Sequence, residues 1–373
     1  GLKSGDSITG ALDRATGENV GTYAINQGTL SAGSNYTITF NSADLMVTAK
    51  PLAVTAAAKS KVYDSADPAL TYTSTGLKTG DSITGSLDRA TGENVGTYAI
   101  NQGSISAGSN YTISFTSADL TITTKTLTVT ADAKTKVYDS NDPALTYTST
   151  GLKSGDSITG ALTRDSGESV GTYAINQGSI TAGSNYTISF TSANLTITAK
   201  PLAVTAAAKT KVYDDADPAL TYSTIGLVSG DSVTGSLTRV AGENVGTYAI
   251  NQGSITAGSN YSISFTSANL TITAKPITVV VTAASPITAG TTTQAGATYV
   301  STGTLTWTAG PANTCTISAS GLVTAVKAGN CTVTASVSAN GNYQAGTGSK
   351  VVVIEAVKAN CGGGNGGDAN TPG

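Results

Sequence analysis

The chain has 373 residues, only 12% of them charged, with a net charge of −3 and no histidine. That balance gives no cationic footprint for nucleic acid, and the missing histidine excludes Ser-His-Asp and Cys-His catalysis and every His-bound metal. No window reaches the roughly 18 apolar residues of a membrane helix, so membrane insertion within this segment is not expected.

Thr, Ser, Gly and Ala dominate, a composition that favours strands and turns over helices. From its first residues the chain is repetitive: the stretch from Gly92 to Phe115 occurs four times, with copies starting at Gly17, Gly92, Gly167 and Gly242, 75 residues apart. A fixed period of this size marks an array of one supersecondary unit. Gly1 aligns with Gly76, so the first copy lacks the counterpart of Pro51–Thr75. Either the chain is cut from a longer array, or its first module is completed by strands from another molecule, on a sheet edge left free for them.

The complete second copy is the template. Leu52 and Val54 open a strand after Lys50-Pro51, a joint that recurs as Lys200-Pro201 and Lys275-Pro276, with Lys125-Thr126 the exception. Proline fixes φ and removes a donor, so pairing is expected to stop at the joint while the chain stays extended. Asp67-Pro68 and Gly80-Asp81-Ser82 read as turns, with Leu70 and Tyr72 between them, and Ile83, Gly85 and Leu87 share one parity of the next strand. Tyr98 and Ile100, then Tyr111, Ile113 and Phe115, alternate with polar residues. The Gly- and Asn-rich stretch between them predicts a two-stranded ribbon. Leu120 and Ile122 close the unit. The inward set is Leu52, Val54, Val62, Leu70, Tyr72, Ile83, Leu87, Val95, Tyr98, Ile100, Tyr111, Ile113, Phe115, Leu120 and Ile122.

At Lys275 the period ends. Strands are expected around Leu305–Thr308, Cys315–Ser318, Leu322–Val326, Cys331–Val337 and Lys350–Val357, with Trp307 as core anchor. Residues 359–373 are Gly-rich and read as a linker. The fold class is therefore all-β: tandem small β-sandwich or β-grasp-like modules placed end to end as an elongated rod, then a different C-terminal module. The expected boundaries are 1–49, 50–124, 125–199, 200–274, 275–358 and the tail at 359–373.

Val62-Tyr63-Asp64, Asp67-Pro68-Ala69-Leu70-Thr71-Tyr72, Gly80-Asp81-Ser82, Gly92-Glu93-Asn94-Val95-Gly96-Thr97-Tyr98 and Asn110-Tyr111-Thr112-Ile113 follow one another in fixed order. In these residues the repeat resembles the MBG-type module, YGX variety, of large bacterial surface adhesins. The family's Tyr-Gly pair stands here as Tyr63-Asp64, Tyr138-Asp139 and Tyr213-Asp214. Gly321-Leu322-Val323-Thr324-Ala325 and Gly329 through Ala335 resemble a bacterial immunoglobulin-like (Big) domain. Both resemblances imply an extracellular, stalk-forming segment and bring no catalytic residues.

Several groups carry candidate chemistry. Cys315 and Cys331 flank the Leu322–Val326 strand and suit a disulfide in an exported protein, whereas Cys361 is an odd thiol in the tail. Asp64, Asp67 and Asp81, with Asp139, Asp142, Asp156, Asp214, Asp217 and Asp231, are candidate calcium ligands or ordinary turn residues. Lys61, Glu93 and Asn101 are the pieces of a Lys–Asn isopeptide bond or a surface ion pair. Tyr63, Tyr72, Tyr98 and Tyr111 stack on sugars or belong to the core. Asn35, Asn110, Asn185 and Asn260 head N-glycosylation triplets that also read as turn-to-strand signals. No cofactor and no enzymatic activity is expected. The expected function is a repetitive spacer or stalk in a secreted surface adhesin. The alternatives are a multivalent glycan- or mucin-binding array and a filament subunit that joins other copies of itself by strand donation.

Overall fold

Alternating apolar and Thr or Ser positions bury one face only as extended backbone. The computed structural model describes residues 1–358, which hold strands and no helix. Two compact units are present, one of Gly1–Lys136, Asn141–Gly167 and Gly171–Thr196, the other of Val137–Ser140, Glu168–Val170 and the chain from Ile197.

In the first unit, residues 50–124 show the repeat whole. Its strands are β1 (Lys50–Ala56), β2 (Lys59–Val62), β3 (Tyr72–Thr75), β4 (Asp88–Arg89), β5 (Gly96–Asn101), β6 (Tyr111–Thr116) and β7 (Ala118–Thr123). They form two sheets, β3-β1-β6 and β2-β7-β5-β4. Two extended segments run side by side as the spine. β1 pairs parallel with β6, Leu52 opposite Ile113, and β2 pairs parallel with β7, Lys61 opposite Ile122. Both segments pass from one sheet to the other at the same level, through Ala57-Ala58 and Ser117. Ala56, Ile100 and Leu120 are buried between the sheets, with Leu70, Leu87 and Phe115 packed on them. The unit is thus a small two-sheet sandwich, and the β-grasp alternative falls for want of a helix among the described residues. Residues 125–196 of this unit repeat the first sheet, with Lys125–Ala131 between Tyr147–Thr150 and Tyr186–Thr191.

Three expectations change. β5 and β6 do not form a ribbon: β5 pairs antiparallel with β7 and β4, and β6 lies in the other sheet. The nine residues between them exceed a hairpin turn. They carry the buried Ile105, whose carbonyl accepts from Gln102 Nε2 at 3.2 Å, and this loop takes the chain across. Pairing does not stop at Pro51 either, because Pro51 sits inside β1 opposite Thr112. Lys50 N donates to Asn110 O, so in a parallel ladder the next nitrogen points the other way, where β3 reaches only as far as Ala53. A residue without N–H fits there. Finally, Val62 is 43% exposed and Lys61 is buried, since the parity of β2 is set by Lys61 and Tyr63.

Residues 1–49 hold only the counterparts of β4, β5 and β7, namely Asp13–Arg14, Gly21–Asn26 and Ala43–Val47, in a three-stranded sheet. The counterpart of β6, residues 36–41, is not a strand. Leu45 is 40% exposed and Met46 71%, whereas Leu120, the counterpart of Leu45, is fully buried.

In the second unit, residues 200–273 form the same two sheets, with cores at Leu202, Val204, Ile255 and Tyr261 and at Ala206, Ile250 and Leu270. The C-terminal module follows. Leu305–Gly310, Gly329–Val337 and Gly346–Glu355 form one sheet with Ile287–Thr288, and Thr292–Gln294, Leu322–Ala325 and Cys315–Ile317 form another. Val323, Val333, Ala335 and Val352 are buried in its core, and Trp307 packs against them partly buried.

Candidate functional site: the joints between repeats

The repeats at 50–124 and 200–274 each carry a neutral cluster of two cations and two anions. β2 places Lys61 inward with its side chain 4% exposed, and Nζ lies 2.6 Å from Glu93 Oε2 and beside Asp67. Arg89 in β4 reaches Asp67 Oδ2 at 2.6 Å through Nε and also pairs with Glu93. Hydrogen bonds from Arg89, then from Lys61, hold the Asp67 carboxyl down at about 2. Asp142 and Asp217 are held at the same level by Arg164 with Lys136 and by Arg239 with Lys211. The guanidinium of Arg89 lies 5.5 Å from the Tyr98 ring centre, and its Nη1 donates to Gly92 O at 2.7 Å. A Cβ on Gly92, at φ +144°, would meet the Tyr98 ring at 2.1 Å, so this position needs glycine.

The ends of the repeats meet through a second group. In the first unit, β2 is followed by Tyr63, whose N donates to Thr123 O at 2.8 Å and whose ring is buried. Tyr63 packs edge-to-face on Tyr186, centroids 5.4 Å apart, and both hydroxyls donate to Asp156 Oδ2, at 2.9 and 2.6 Å. Those two bonds, that of Tyr186 first, hold the Asp156 carboxyl below its ordinary range. Lys153 Nζ lies 4.9 Å from the Tyr63 ring centre. Asp64 turns the chain with φ 71°, a conformation that asparagine, aspartate and glycine tolerate best, and its Oδ2 pairs with Lys125 Nζ at 2.8 Å. On the other side of the joint, Val95 N donates to Asn185 Oδ1 at 2.9 Å and Asn185 Nδ2 donates to Asn94 Oδ1 at 2.9 Å. Beneath these, Tyr63 and Ile122 share one apolar cluster with Leu127, Val129 and Tyr186.

The second unit builds the same joint once in full and once with the ring pair, ion pair and asparagine bond alone. Tyr138 meets Tyr261 at 5.6 Å, both donate to Asp231, Lys200 pairs with Asp139 at 2.8 Å, and Val170 N donates to Asn260. Tyr213 then meets Tyr343 of the C-terminal module at 5.5 Å, Lys275 pairs with Asp214 at 2.8 Å, and Val245 N donates to Asn342 Oδ1 at 2.9 Å. A module of different sequence thus offers the same Asn-Tyr pair. Sequence reasoning missed this joint, although the dipeptide Asn342-Tyr343 after Gly341 matches Asn260-Tyr261 after Ser259 and was its signal.

Asp64, Asp67 and Asp81 do not converge: they pair with Lys125, with Lys61 and Arg89, and with the Tyr111 hydroxyl, respectively. Among the described residues no three His, Cys, Asp or Glu side chains are placed to hold a metal. Lys61 and Glu93 come together, but Asn101 lies exposed opposite Asp88. Lys61 is held protonated, by Asp67 first and Glu93 second, whereas amide formation needs a neutral amine. Three of the four tyrosines are engaged within the protein, Tyr63 in the joint, Tyr98 under Arg89 with its hydroxyl on Asn94 O and Tyr111 on Asp81, and Tyr72 lies half-buried at the start of β3. Asn110, Asn185 and Asn260 use their side chains at the joints. Cys315 and Cys331 are bonded, Cα atoms 5.8 Å apart, and tie the two sheets of the C-terminal module together. Cys361 and the tail at 359–373 lie outside the described residues. No helix among the described residues is long and apolar enough to cross a membrane.

The family model for the MBG domain (YGX type) matches residues 1–46, 52–121, 127–196 and 202–271. No curated protein matches the chain. Among solved structures, invasin, a bacterial integrin-binding protein, is 13% identical over 95% of this chain and 79% of its own, with a TM-score of 0.25. Drosophila N-cadherin EC1-3 is 10% identical over 60% of this chain and 98% of its own, TM-score 0.20. A SusE-like surface-located polysaccharide-binding protein from the Bacteroides thetaiotaomicron heparin utilisation locus is 12% identical over 91% and 62%, TM-score 0.19. Scores this low establish no shared superposition of the whole chains.

Proposed function

This chain belongs to the MBG domain (YGX type) family, and we propose that it serves as a repetitive spacer in a bacterial surface adhesin, setting distance. Repeats at 1–49, 50–124, 125–199 and 200–274 and an immunoglobulin-like module at 275–358 are the pieces of this reading. It places them outside the cell, with Cys315–Cys331 as the staple of the last. The observation that carries it is the joint: a tyrosine pair on one carboxylate, an ion pair and an asparagine bridge, rebuilt with the same residue types at successive repeats. A packed and hydrogen-bonded joint resists bending, as a Gly-Ser linker does not. In repeat arrays stability is close to a sum over units and nearest-neighbour interfaces.

Small-angle scattering on chains with one, two and three complete repeats tests the reading. The maximum dimension should grow by a constant increment per repeat. A dimension that levels off while mass increases would refute it.

A further inference from the structure

Nine prolines stand in the chain, and aspartate precedes three of them, at Asp67-Pro68, Asp142-Pro143 and Asp217-Pro218. Each of these aspartates is the one that the ion cluster of its repeat holds. Arg89 forks onto both oxygens of Asp67, Nε to Oδ2 at 2.6 Å and Nη2 to Oδ1 at 3.2 Å, and Lys61 Nζ donates to Oδ1 at 2.5 Å. Arg164 and Lys136 hold Asp142 in the same way, at 2.6, 3.2 and 2.6 Å, and Arg239 and Lys211 hold Asp217 at 2.6, 3.2 and 2.7 Å. The cations are anchored, the Lys61 side chain 4% exposed and that of Arg89 12%, whereas the Asp67 side chain is 42% exposed and open to water. Glu93, which pairs with both cations, completes the charged groups of this cluster.

The proline nitrogen carries no N–H, so it cannot attack the aspartate side chain to close a succinimide. The route left is attack by the aspartate's own carboxyl. We propose that these three Asp-Pro bonds are self-cleavage sites, with water as the co-reactant, and that the fold holds them shut by committing both carboxylate oxygens. In the step, a carboxyl oxygen of Asp67 bonds to the Asp67 carbonyl carbon and the C–N bond to Pro68 breaks. The carboxyl proton goes to the proline nitrogen, which leaves as a secondary amine. Water then opens the five-membered anhydride to a C-terminal aspartic acid. The fork opposes this geometrically, because a carboxylate held in plane by a guanidinium must break at least one charge-assisted hydrogen bond to turn onto its own carbonyl. Kept ionised by the same contacts down to about 2, the carboxyl also lacks the proton that the leaving nitrogen needs. Scission at all three bonds would release pieces 68–142 and 143–217, each one period long.

The test holds the full chain at pH about 4, near the ordinary carboxylate value, and follows new chain ends by mass spectrometry, with a peptide of residues 59–75 as the unguarded reference. Bond 67–68 of the native chain should break roughly 10- to 100-fold more slowly than in the peptide, the worth of one charge-assisted hydrogen bond. Arg89→Gln should bring that bond close to the peptide's rate, while bonds 142–143 and 217–218 of the same molecules stay slow. Glu93→Gln disturbs the cluster but removes no partner of Asp67, and should leave the bond protected. Asp67→Glu in the Arg89→Gln chain should stay whole, because a six-membered anhydride closes much more slowly. A native bond that breaks as fast as the peptide's, a peptide that does not break, or an Arg89→Gln chain as slow as the native one overturns the proposal. Equal scission in Glu93→Gln and Arg89→Gln overturns it too, since folding alone would then be the guard.

Discussion

Residues 1–49 and 76–124 carry nearly the same sequence, yet Leu45 faces solvent where Leu120 does not. What the second has and the first lacks is the extended segment of β1 and β2, which lies along β6 and β7 in parallel. The features that survive without it are local. Arg14 still lies 5.6 Å from the Tyr23 ring centre, donates to Gly17 O at 2.7 Å and pairs with Glu18, as Arg89 does with Tyr98, Gly92 and Glu93. The features that fail are long-range: the strand at 36–41, the buried leucine, and the Lys–Asp arm of the ion cluster. The repeat is therefore two layers of organisation, a self-sufficient β4–β5 clamp and a core that exists only when the spine is complete.

The widest gap between the two regions should appear on truncating the paired leucines. Leu120→Ala removes a fully buried side chain and is expected to cost about 2–5 kcal/mol. Leu45→Ala should cost less than about 1 kcal/mol, because much of that side chain is already in water. Urea titration followed by amide exchange in each repeat separates the two, and equal costs would contradict the comparison.

Next is the tyrosine at the joint. Tyr63→Phe removes a hydroxyl from Asp156 and should cost about 0.5–1.5 kcal/mol, felt in residues 125–186 as well as in its own repeat. A loss confined to one repeat would show that the joint does not couple them.

Acid should act on the complete repeats selectively. Asp67 and Asp217 have folded values lowered to about 2, so the stability they contribute is fully present above the ordinary carboxylate value near 4. It is lost as pH falls through about 2. Exchange in residues 50–124 should accelerate across that window, whereas residues 1–49, which lack the Lys61 and Asp67 positions, should show no such step. An identical acid step in both regions would remove the cluster as its cause.

The smallest effect is expected at Asp64→Gly. Glycine relieves the positive φ, and the lost ion pair with Lys125 is partly exposed, so the two terms should nearly cancel, to within about 0.5 kcal/mol. The pairing itself is the readout: Lys125→Ala should be neutral in the Asp64→Gly background and mildly destabilising in the native one.

Much of this architecture was legible in the amino-acid order. The 75-residue period, the strand positions of Tyr98–Ile100 and Tyr111–Phe115, and the five main strands of the C-terminal module follow from alternation. The partners of those strands do not. Alternation says which face of Tyr111–Thr116 is apolar but not that its neighbour lies 61 residues back at Lys50, and a Gly-rich interval resembles a hairpin turn until its length is weighed. Val62 misled because β-branched residues suit a strand on either face. The burial of Lys61 beside it needs two carboxylates from distant segments, Asp67 and Glu93. Alternation and residue type leave the tyrosines as core or ligand platform. That they bind one another across joints could be seen only once Asn-Tyr and Tyr-Asp were brought face to face.

The asparagine bridge links Val20 to Asn110, Val95 to Asn185 and Val170 to Asn260, always 90 residues on. Because each partner recurs with the period, excising or duplicating a 75-residue stretch within residues 1–274 rejoins chemically equivalent surfaces. Unequal recombination at this locus can change the number of units without a single compensating substitution, and Asn342-Tyr343 lets the last unit dock whichever copy happens to precede it.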